Sequence, residues 1–294
     1  MIPTGSELSI KENLQYVDKT VNTHPIFLLD KNGYVSLTNI EVKSTATDGL
    51  AKELVNNLIK EESKNMPSGF KAIIPAGTKI LSSSFDKGLM KIDFSKDIFK
   101  VSKQYEEKMV EAITYTLTSI KDVNKVIIYV EGDVLTKLPK SKINLPSTLD
   151  RSFGINKEYE FTNLNLINDV TVYYVNENNG NYYYVPVTKY LNDDRDKADI
   201  IVEQLSANFN YNKNLKSLLN SDTRLEAFSI KDNVLNLGFN NSIYDDSVER
   251  SISDEVKEMI LLSMSENYNI KEVVFKVGNE EVYKSTIKNQ NTTN

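Results

Sequence analysis

The chain has 294 residues, which suits two domains better than one, because single hydrophobic cores stop growing near ~250 residues. Its 40% hydrophobic and 26% charged residues are typical of a soluble globular protein, and its net charge of -6 argues against nucleic acid or an anionic membrane surface as the main partner. The absence of cysteine excludes disulfides, thiolate nucleophiles and Cys/His zinc sites, and His24, the single histidine, is the one base that Ser-His-Asp catalysis could use.

The N-terminal residues 1–21 contain neither the apolar segment nor the cleavage site of a signal peptide. No apolar run in the sequence approaches the roughly 18–20 residues that span a bilayer. The sequence as it stands is therefore expected to be soluble. Its beginning fits equally well a trimmed start from which an export signal or anchor has been removed, and both alternatives stay open.

The first structural signal is a hairpin. Residues 25–29 and 34–42 are predicted strands on either side of Lys31-Asn32-Gly33, where glycine supplies the positive φ that a tight turn requires. Asp48 is predicted to cap the helix that follows. Its apolar residues recur at helical spacing and form one face: Ala51, Leu54, Val55, Leu58 and Ile59.

A second hairpin is predicted within Pro75–Phe99, with its turn at Asp86-Lys87-Gly88. Ser102 precedes a predicted helix, and residues 125–130 (KVIIYV) read as the strand that closes this part of the chain. The apolar face of that helix consists of Met109, Ile113, Leu117 and Ile120.

Polar side chains crowd this second hairpin: Ser82, Ser83, Asp86, Asp93 and Ser95. They invite a catalytic or metal-binding interpretation. Strand alternation, however, puts Ile92 and Phe94 on one face and Asp93 on the other, so a polar sheet face and turn chemistry explain the cluster better. A hydrolase would require Asp86 or Asp93 to meet another carboxylate in a cleft.

The sequence contains an internal repeat. GTKILSSSFDKGLMKIDFSKDIF, from Gly77, aligns without a gap with DTRLEAFSIKDNVLNLGFNNSIY, from Asp222, at an offset of 145 residues. VNKVIIYVEGD, from Val123, aligns with IKEVVFKVGNE, from Ile270, at an offset of 147 residues. The apolar rhythm is kept, whereas Asp93 and Ser82 are replaced. Two diverged copies of one domain account for this pattern.

The repeat divides the chain into a first domain over residues 20–137 (the first copy), a linker over 138–165, and a second domain over 166–290 (the second copy). The linker is predicted from two prolines, polar stretches and the lack of a clear period. Helices and strands interleave, but the hairpins require antiparallel pairing. We therefore predict an α+β fold: two repeated domains, each a mostly antiparallel sheet with two helices packed on one face.

The second copy repeats the order of elements in the first. Its predicted helices lie near 195–209 and 251–266, its second hairpin at 222–239, and its last strands at 272–277 and 281–287. The inward face of the earlier helix is predicted to be Ala198, Ile201, Val202, Leu205 and Phe209.

The opening hairpin of the second copy is rich in tyrosine: Tyr173, Tyr174, Tyr182, Tyr183, Tyr184 and Tyr190. Strands favour tyrosine, so half or more of this signal is structural. The remainder suggests exposed aromatic area for binding, which makes this hairpin the best candidate interface in the sequence.

Two further features have structural interpretations. His24 precedes a predicted strand and is interpreted as a surface or loop histidine, since no serine or carboxylate is tied to it by spacing. The acidic run 192–196 lacks the EF-hand pattern and stands where a helix should begin, so capping is favoured over calcium.

PAGTKILSSSFDKGLMKIDFSKDIF and VTVYYVNENNGNYYYVPVTKY resemble the GerM domain family of spore-forming Gram-positive bacteria. The second copy departs from the pattern at Gly238-Phe239-Asn240-Asn241 and has Asn233 in place of the turn glycine, which asparagine can replace because it tolerates left-handed geometry. The resemblance implies a tandem protein whose domains are similar to ring-building modules. It also implies an exported protein acting between the mother-cell and forespore membranes, although the usual lipid-bearing cysteine is absent.

We therefore expect a non-enzymatic interaction protein of sporulation, extracytoplasmic and membrane-anchored in its full-length form, with no catalytic residues, cofactor or metal. Its expected partners are other sporulation envelope proteins or further copies of itself, with no nucleic acid. Any membrane association would depend on an anchor absent from this sequence. The alternative is an extracytoplasmic domain that binds a cell-wall glycan or peptide, which exposed tyrosines along a concave groove would favour.

Overall fold

The computed structural model describes residues 22–61, 66–207 and 214–287. The first copy contains β1 (Thr23–Asp30), β2 (Val35–Glu41), α1 (Thr47–Leu58), β3 (Phe70–Lys71), β4 (Ile80–Asp86), β5 (Leu89–Phe94), α2 (Glu106–Leu117), β6 (Lys125–Val130) and β7 (Asp133–Val134). The linker contributes a 3-10 helix (Arg151–Phe153) and β8 (Glu158–Glu160). The second copy contains β9 (Asn168–Asn178), β10 (Asn181–Leu191), α3 (Lys197–Ser206), β11 (Leu225–Lys231), β12 (Val234–Phe239), α4 (Asp254–Asn267), β13 (Glu272–Val277) and β14 (Glu280–Thr286).

The predicted α+β class and the repeated order of elements are confirmed, with corrections at helix ends. Helix α1 begins at Thr47 after Ala46, so Asp48 lies in the first turn and does not cap the helix, although its charge there still favours the helix dipole. Helix α3 ends at Ser206, earlier than predicted, and Phe209 lies outside the described residues.

The opening hairpins of the two copies join in one central sheet, which the sequence did not indicate. Strand β10 pairs with β9 along its whole length, so its other edge remains for β2 and β8. The spatial order is therefore β3-β1-β2-β10-β9, with β8 beside the end of β10. The first copy thus contributes three strands to a shared six-stranded sheet, the second copy two and the linker one.

The two halves of the central sheet are related by a pseudo-two-fold axis. Leu37 of β2 pairs with Tyr184 of β10 in the antiparallel sense. These residues are 147 positions apart, which is the larger of the two offsets of the sequence repeat. Antiparallel pairing of equivalent residues is what a two-fold axis produces, so the chain is built like a homodimer whose subunits are covalently joined.

Equivalent helices contact the outer sides of β1 and β9. The Phe27 N–H of β1 donates to Thr116 Oγ1 of α2 at 3.0 Å. The Tyr173 N–H of β9 donates to Ser263 Oγ of α4 at 2.9 Å. Outward-facing backbone groups are thereby satisfied, and the central sheet is closed to further strand pairing at these points.

Each copy also has a four-stranded sheet, ordered β4-β5-β6-β7 in the first copy and β11-β12-β13-β14 in the second. Their first hairpins turn through residues of positive φ, Lys87 and Gly88 in one and Asp232 and Asn233 in the other. The prediction that Asn233 preserves the turn is confirmed, with φ 63°.

The hydrophobic core of each copy lies around its helices, between the central sheet and the four-stranded sheet. The predicted face of α1 is confirmed, with Leu54, Val55 and Leu58 fully buried. Phe70 packs against the cores of both copies and meets the ring of Tyr183 at 4.9 Å in an edge-to-face contact. Apolar contact therefore continues from one copy into the other.

Candidate functional site

A cleft of about 750 Å³ opens between the two copies and is the candidate functional site. One wall comes from the first copy and the 3-10 helix of the linker, including Phe27, Ser119 and Arg151. The opposite wall is α4 with the end of β14, including Glu266 and Thr286. Clefts at domain boundaries are common places for ligand binding. The chemical groups that line this cleft therefore determine what it could bind.

An ion pair at the base of the cleft joins the linker to the second copy. Arg151 Nη1 donates to Glu266 Oε2 at 2.5 Å, and Tyr173 OH donates to the same oxygen at 3.0 Å. Arg151 Nε donates to Thr118 Oγ1 at 3.1 Å, and its backbone carbonyl accepts from Tyr115 OH at 3.0 Å. The Arg151 guanidinium also lies 4.8 Å from the Tyr115 ring centroid.

The electrostatics of this cluster favour a fixed ion pair over acid-base chemistry. Burial is the largest single influence and by itself would lower the pKa of Arg151, but the charge and hydrogen bond of Glu266 together with Tyr173 and Tyr115 outweigh burial and raise it. Burial, helped by the charge of Glu266, raises the pKa values of Tyr173 and Tyr115 well above the ordinary tyrosine value. Arg151, Tyr173 and Tyr115 therefore keep their protonation states near neutral pH. Their contacts serve to hold the copies together.

Asn156 of the linker occupies the point where β2 and β10 separate. The Val35 N–H donates to Asn156 Oδ1 at 2.9 Å, and Asn156 Nδ2 donates to the carbonyls of Val35 and Pro186 at 2.8 and 2.7 Å. One side chain thus replaces the backbone bonds that two separating strands would lose.

A buried carboxyl group supports Asn156 from helix α2. Glu111 is 2% exposed and accepts from the Asn156 N–H at 3.0 Å. Burial raises the pKa of Glu111 to about 7, against the opposing effects of the Asn156 N–H and of Lys157. This contact ties the first copy to the linker and is absent from the walls of the cleft.

The structure does not bring the polar residues of the second hairpin together as a catalytic group. Asp86 is exposed beside the turn, whereas Asp93 lies near the other end of β5 opposite Ser82. Asp93 accepts from the Gly132 N–H at 3.3 Å, and Ser95 Oγ accepts from the Lys79 N–H at 3.0 Å. These are contacts of a sheet face and its loops.

His24 lies within β1, half-buried opposite Ile40, where the sequence predicted a surface or loop position. Burial lowers its pKa, and its Nδ1 is 2.9 Å from the Pro25 carbonyl. The reason for the difference is that β1 begins before Pro25, at Thr23.

The acidic run provides a helix-cap position and the surface ion pairs of Arg195 with Asp193 and Glu203. Asp196 stands at the N-cap of α3, but its side chain makes no capping hydrogen bond, in contrast to the prediction. Hydrogen bonding to Arg195 lowers the pKa of Asp193. Asn192 instead binds the linker loop, since its Oδ1 accepts from the N–H groups of Thr162 and Asn163.

The tyrosines of the second copy's opening hairpin are mostly interior. Tyr173, Tyr174 and Tyr183 are buried, Tyr184 and Tyr190 are half-buried, and Tyr182 is 45% exposed. Tyr183 OH donates to Asp30 Oδ2 at 2.9 Å, across to the first copy. Most of the tyrosine signal is therefore structural, as predicted, and Tyr182 is the member of the set that leaves exposed aromatic area.

Within residues 22–61, 66–207 and 214–287, no group of histidine, aspartate and glutamate is arranged to hold a metal ion. Over the same ranges, no helix combines the length and apolarity needed to cross a membrane.

The residues that join the linker to the two copies were missed from the sequence. Arg151 and Asn156 lie in a stretch without periodicity, and Glu266 lies on a helix far away in sequence. The one available signal was an arginine in an otherwise polar linker, which is ordinary for an exposed segment. Their partners come together only when the copies pack.

Comparisons with known proteins agree with the tandem organisation. The family Germane, described as "Sporulation and spore germination", matches residues 25–136 and 171–283. The spore germination protein GerM of Bacillus subtilis (strain 168) is 32% identical over 282 residues, covering 93% of this chain and 76% of the relative. The solved tandem GerMN domains of the sporulation protein GerM from Bacillus subtilis align with a TM-score of 0.79 and 30% identity, over 89% of this chain and 92% of that one.

Proposed function

Because the chain belongs to the Germane family of sporulation and spore germination proteins, we propose that it acts in sporulation as a non-enzymatic interaction protein, in an assembly between the mother-cell and forespore membranes. Its partners are other sporulation envelope proteins or further copies of itself. The location that we propose is extracytoplasmic, with membrane anchoring in the full-length protein.

The observation that carries this proposal is the joining of the two copies into one body. Leu37 and Tyr184 link the hairpins, and Arg151, Glu266 and Asn156 bind the linker to both sides. The side chains at the base of the cleft whose pKa values are strongly shifted make these contacts. They are therefore not directed at a substrate. Two copies held together in one arrangement, with their outer surfaces free to contact other proteins, suit assembly better than catalysis.

Glycan binding is the less favoured role. It would require exposed tyrosines along a groove, and of the six described tyrosines of the hairpin only Tyr182 is exposed, at 45%. Tyr173 lines the cleft, but its hydroxyl is bound to Glu266 and its ring is 2% exposed.

The proposal is tested by affinity capture of the tagged chain from sporulating cells, with vegetative cells of the same strain as the control. We expect envelope proteins of the sporulating cell to be captured, and a deletion strain to yield fewer spores. Capture of no envelope protein, together with normal spores from the deletion strain, would exclude this role.

The non-enzymatic part has its own test. A chain carrying both Asp86→Asn and Asp93→Asn keeps the shape of the second hairpin and removes the carboxylates that a hydrolase would use there. We expect it to restore spore yield in the deletion strain as well as the unaltered chain does. A failure to restore, with normal unfolding of the purified variant, would indicate catalysis at this hairpin.

A further inference from the structure

Strand β14 presents an open edge. It is the last strand in its sheet, and no strand in the described part of the chain pairs with its outer side. The Ile287 N–H, just beyond β14, donates inward to the Lys271 carbonyl at 2.8 Å. Because N–H and C=O directions alternate along an antiparallel strand, those of Lys284 and Thr286 point outward. These groups are ready to pair with an added strand.

At the corresponding end of its four-stranded sheet, beyond β6, the described part of the first copy has no open strand of this length. Its β7 spans two residues, and the linker occupies the rest of the position beside β6, where Leu149 and Val126 exchange backbone hydrogen bonds of 2.7 and 2.8 Å. The seven-residue β14 is therefore a feature of the second copy.

The open edge leads into the cleft. Ser285, Thr286 and Ile287, at the end of β14, form part of the cleft wall, and Ser119 and Asn124 of the first copy line it too. A segment that pairs with Thr286 therefore continues between the two copies. The edge supplies backbone hydrogen bonds, and the cleft supplies contacts for side chains.

The cleft lining sets the chemistry of that segment. Hydroxyl and amide side chains are frequent, among them Ser119, Ser152, Ser265, Asn124 and Asn267. The four charged side chains in the lining are one cation and three anions. The cation, Arg151, is paired with Glu266, which leaves Asp150 and Glu258 as the excess negative charge. A basic side chain is thus the complementary ligand group.

We propose that the outer edge of β14 and the adjoining cleft bind an extended, basic polypeptide segment of a partner protein by strand addition. This inference rests on the proposed interaction function and names its surface. Nucleic acid and anionic lipid do not fit, because they would bring like charge to Asp150 and Glu258. The outward backbone groups of Lys284 and Thr286 also match a polypeptide better than a glycan.

The binding test uses a fluorescent seven-residue probe peptide of alternating lysine and valine, followed by anisotropy with the full chain. One control peptide has glutamate in place of lysine, and another is N-methylated at alternate residues, which removes strand donors. We expect each control to bind at least about tenfold more weakly, since about 1.4 kcal/mol separates such affinities.

Variants of β14 locate the site. Thr286→Pro removes the outward N–H and leaves the β13 ladder intact, because edge strands tolerate proline where the N–H faces away from the sheet. We expect it to weaken probe binding about tenfold, whereas Thr286→Val, which keeps the N–H, binds as the unaltered chain does. Glu258→Gln should weaken binding, and Glu226→Gln on exposed β11 should not. Circular dichroism and urea unfolding verify that each variant is folded.

Several results would overturn the proposal. One is equal binding of the N-methylated peptide, and another is an unchanged affinity for the probe when Thr286→Pro is present in a folded variant. A third is a dimer of the chain that Thr286→Pro abolishes, because a second copy would then be the occupant. Tighter probe binding after removal of residues 288–294 would make this chain's own segment the occupant. Any of these results leaves the capture of envelope proteins from sporulating cells unaffected, so failure of this site and failure of the proposed function are distinguishable.

Discussion

At the scale of single residues, Arg151 and Glu266 join the copies through an ion pair in which Glu266 is 5% exposed. Removing Glu266 leaves the Arg151 guanidinium without its partner, but the Arg151 side chain is 31% exposed, so water compensates part of the loss. Glu266→Gln is therefore expected to lower the free energy of unfolding by about 2 kcal/mol, measured by urea denaturation.

The matched control for that pair is Glu280→Gln, which breaks the ion pair of Arg250 and Glu280, where both side chains are more than half exposed. Surface pairs contribute roughly 0–1 kcal/mol, so little change is expected there. Equal effects of the two substitutions would mean that Arg151 and Glu266 do not hold the copies together.

Glu111 gives the protein a predictable pH dependence. Burial raises its pKa from 4.5 to about 7 in the folded state. The folded state therefore binds the proton more tightly than the unfolded chain, and stability falls as pH rises from about 4.5 through about 7. At roughly 1.4 kcal/mol per pH unit, the loss approaches about 3 kcal/mol.

Glu111→Gln is expected to lack this loss and to exceed the unaltered chain in unfolding free energy at pH 8. The measurement is urea denaturation at intervals between pH 4 and pH 8, with Glu41→Gln, an exposed carboxylate on β2, as the control. Parallel pH profiles of Glu111→Gln and the unaltered chain would contradict the assignment.

At the scale of elements, the linker stabilises the contact of β2 with β10 through Asn156. Asn156→Ala removes three side-chain hydrogen bonds, each contributing about 1 kcal/mol, and is expected to destabilise the chain by about 3 kcal/mol. Hydrogen exchange should also quicken at the amide of Val35, whose N–H would lose its acceptor.

Asn156→Gly separates the effect of losing the side chain from the effect of backbone strain at this position, where φ is 46°. Glycine adopts this conformation freely, whereas alanine pays about 1 kcal/mol for it. The glycine variant should therefore be less destabilised than the alanine variant, while hydrogen exchange at Val35 is equally fast in both. Slow exchange at Val35 in the glycine variant would show that Asn156 Oδ1 does not protect it.

At the scale of the whole molecule, the shared sheet and the continuous apolar contact through Phe70 predict one cooperative unfolding transition. Protection of α2 and α4 from hydrogen exchange should be lost at the same urea concentration, and tyrosine fluorescence should follow the same curve. Loss of protection in one helix well before the other would mean that the copies fold independently.

The hairpin turns and helix faces could be predicted because their determinants are local. Gly88 and Asn233 lie within their own turns, and the apolar spacing of α1 is read from neighbouring residues. The N-terminus of α1 could not be located to the residue, since Asp48 favours either the cap or the first turn, and only the backbone at Ala46 decides between them.

The joining of the copies could not be predicted because its determinants are remote in sequence. Tyr183 meets Asp30 across 153 positions, and Arg151 meets Glu266 across 115. Tyrosine in a strand has the same propensity whether its ring faces solvent or another domain. The cleft depends on this packing, so its groups could not be assembled from local patterns.

The pseudo-two-fold axis between β2 and β10 has a consequence for valency. Surface features that the copies share are presented twice, in orientations related by a half-turn and at a fixed separation. A partner that recognises such a feature, and that is itself arranged symmetrically, would engage both sites with a high effective concentration for the second contact. Features found in one copy alone, such as the open edge of β14, remain monovalent and give the molecule a direction.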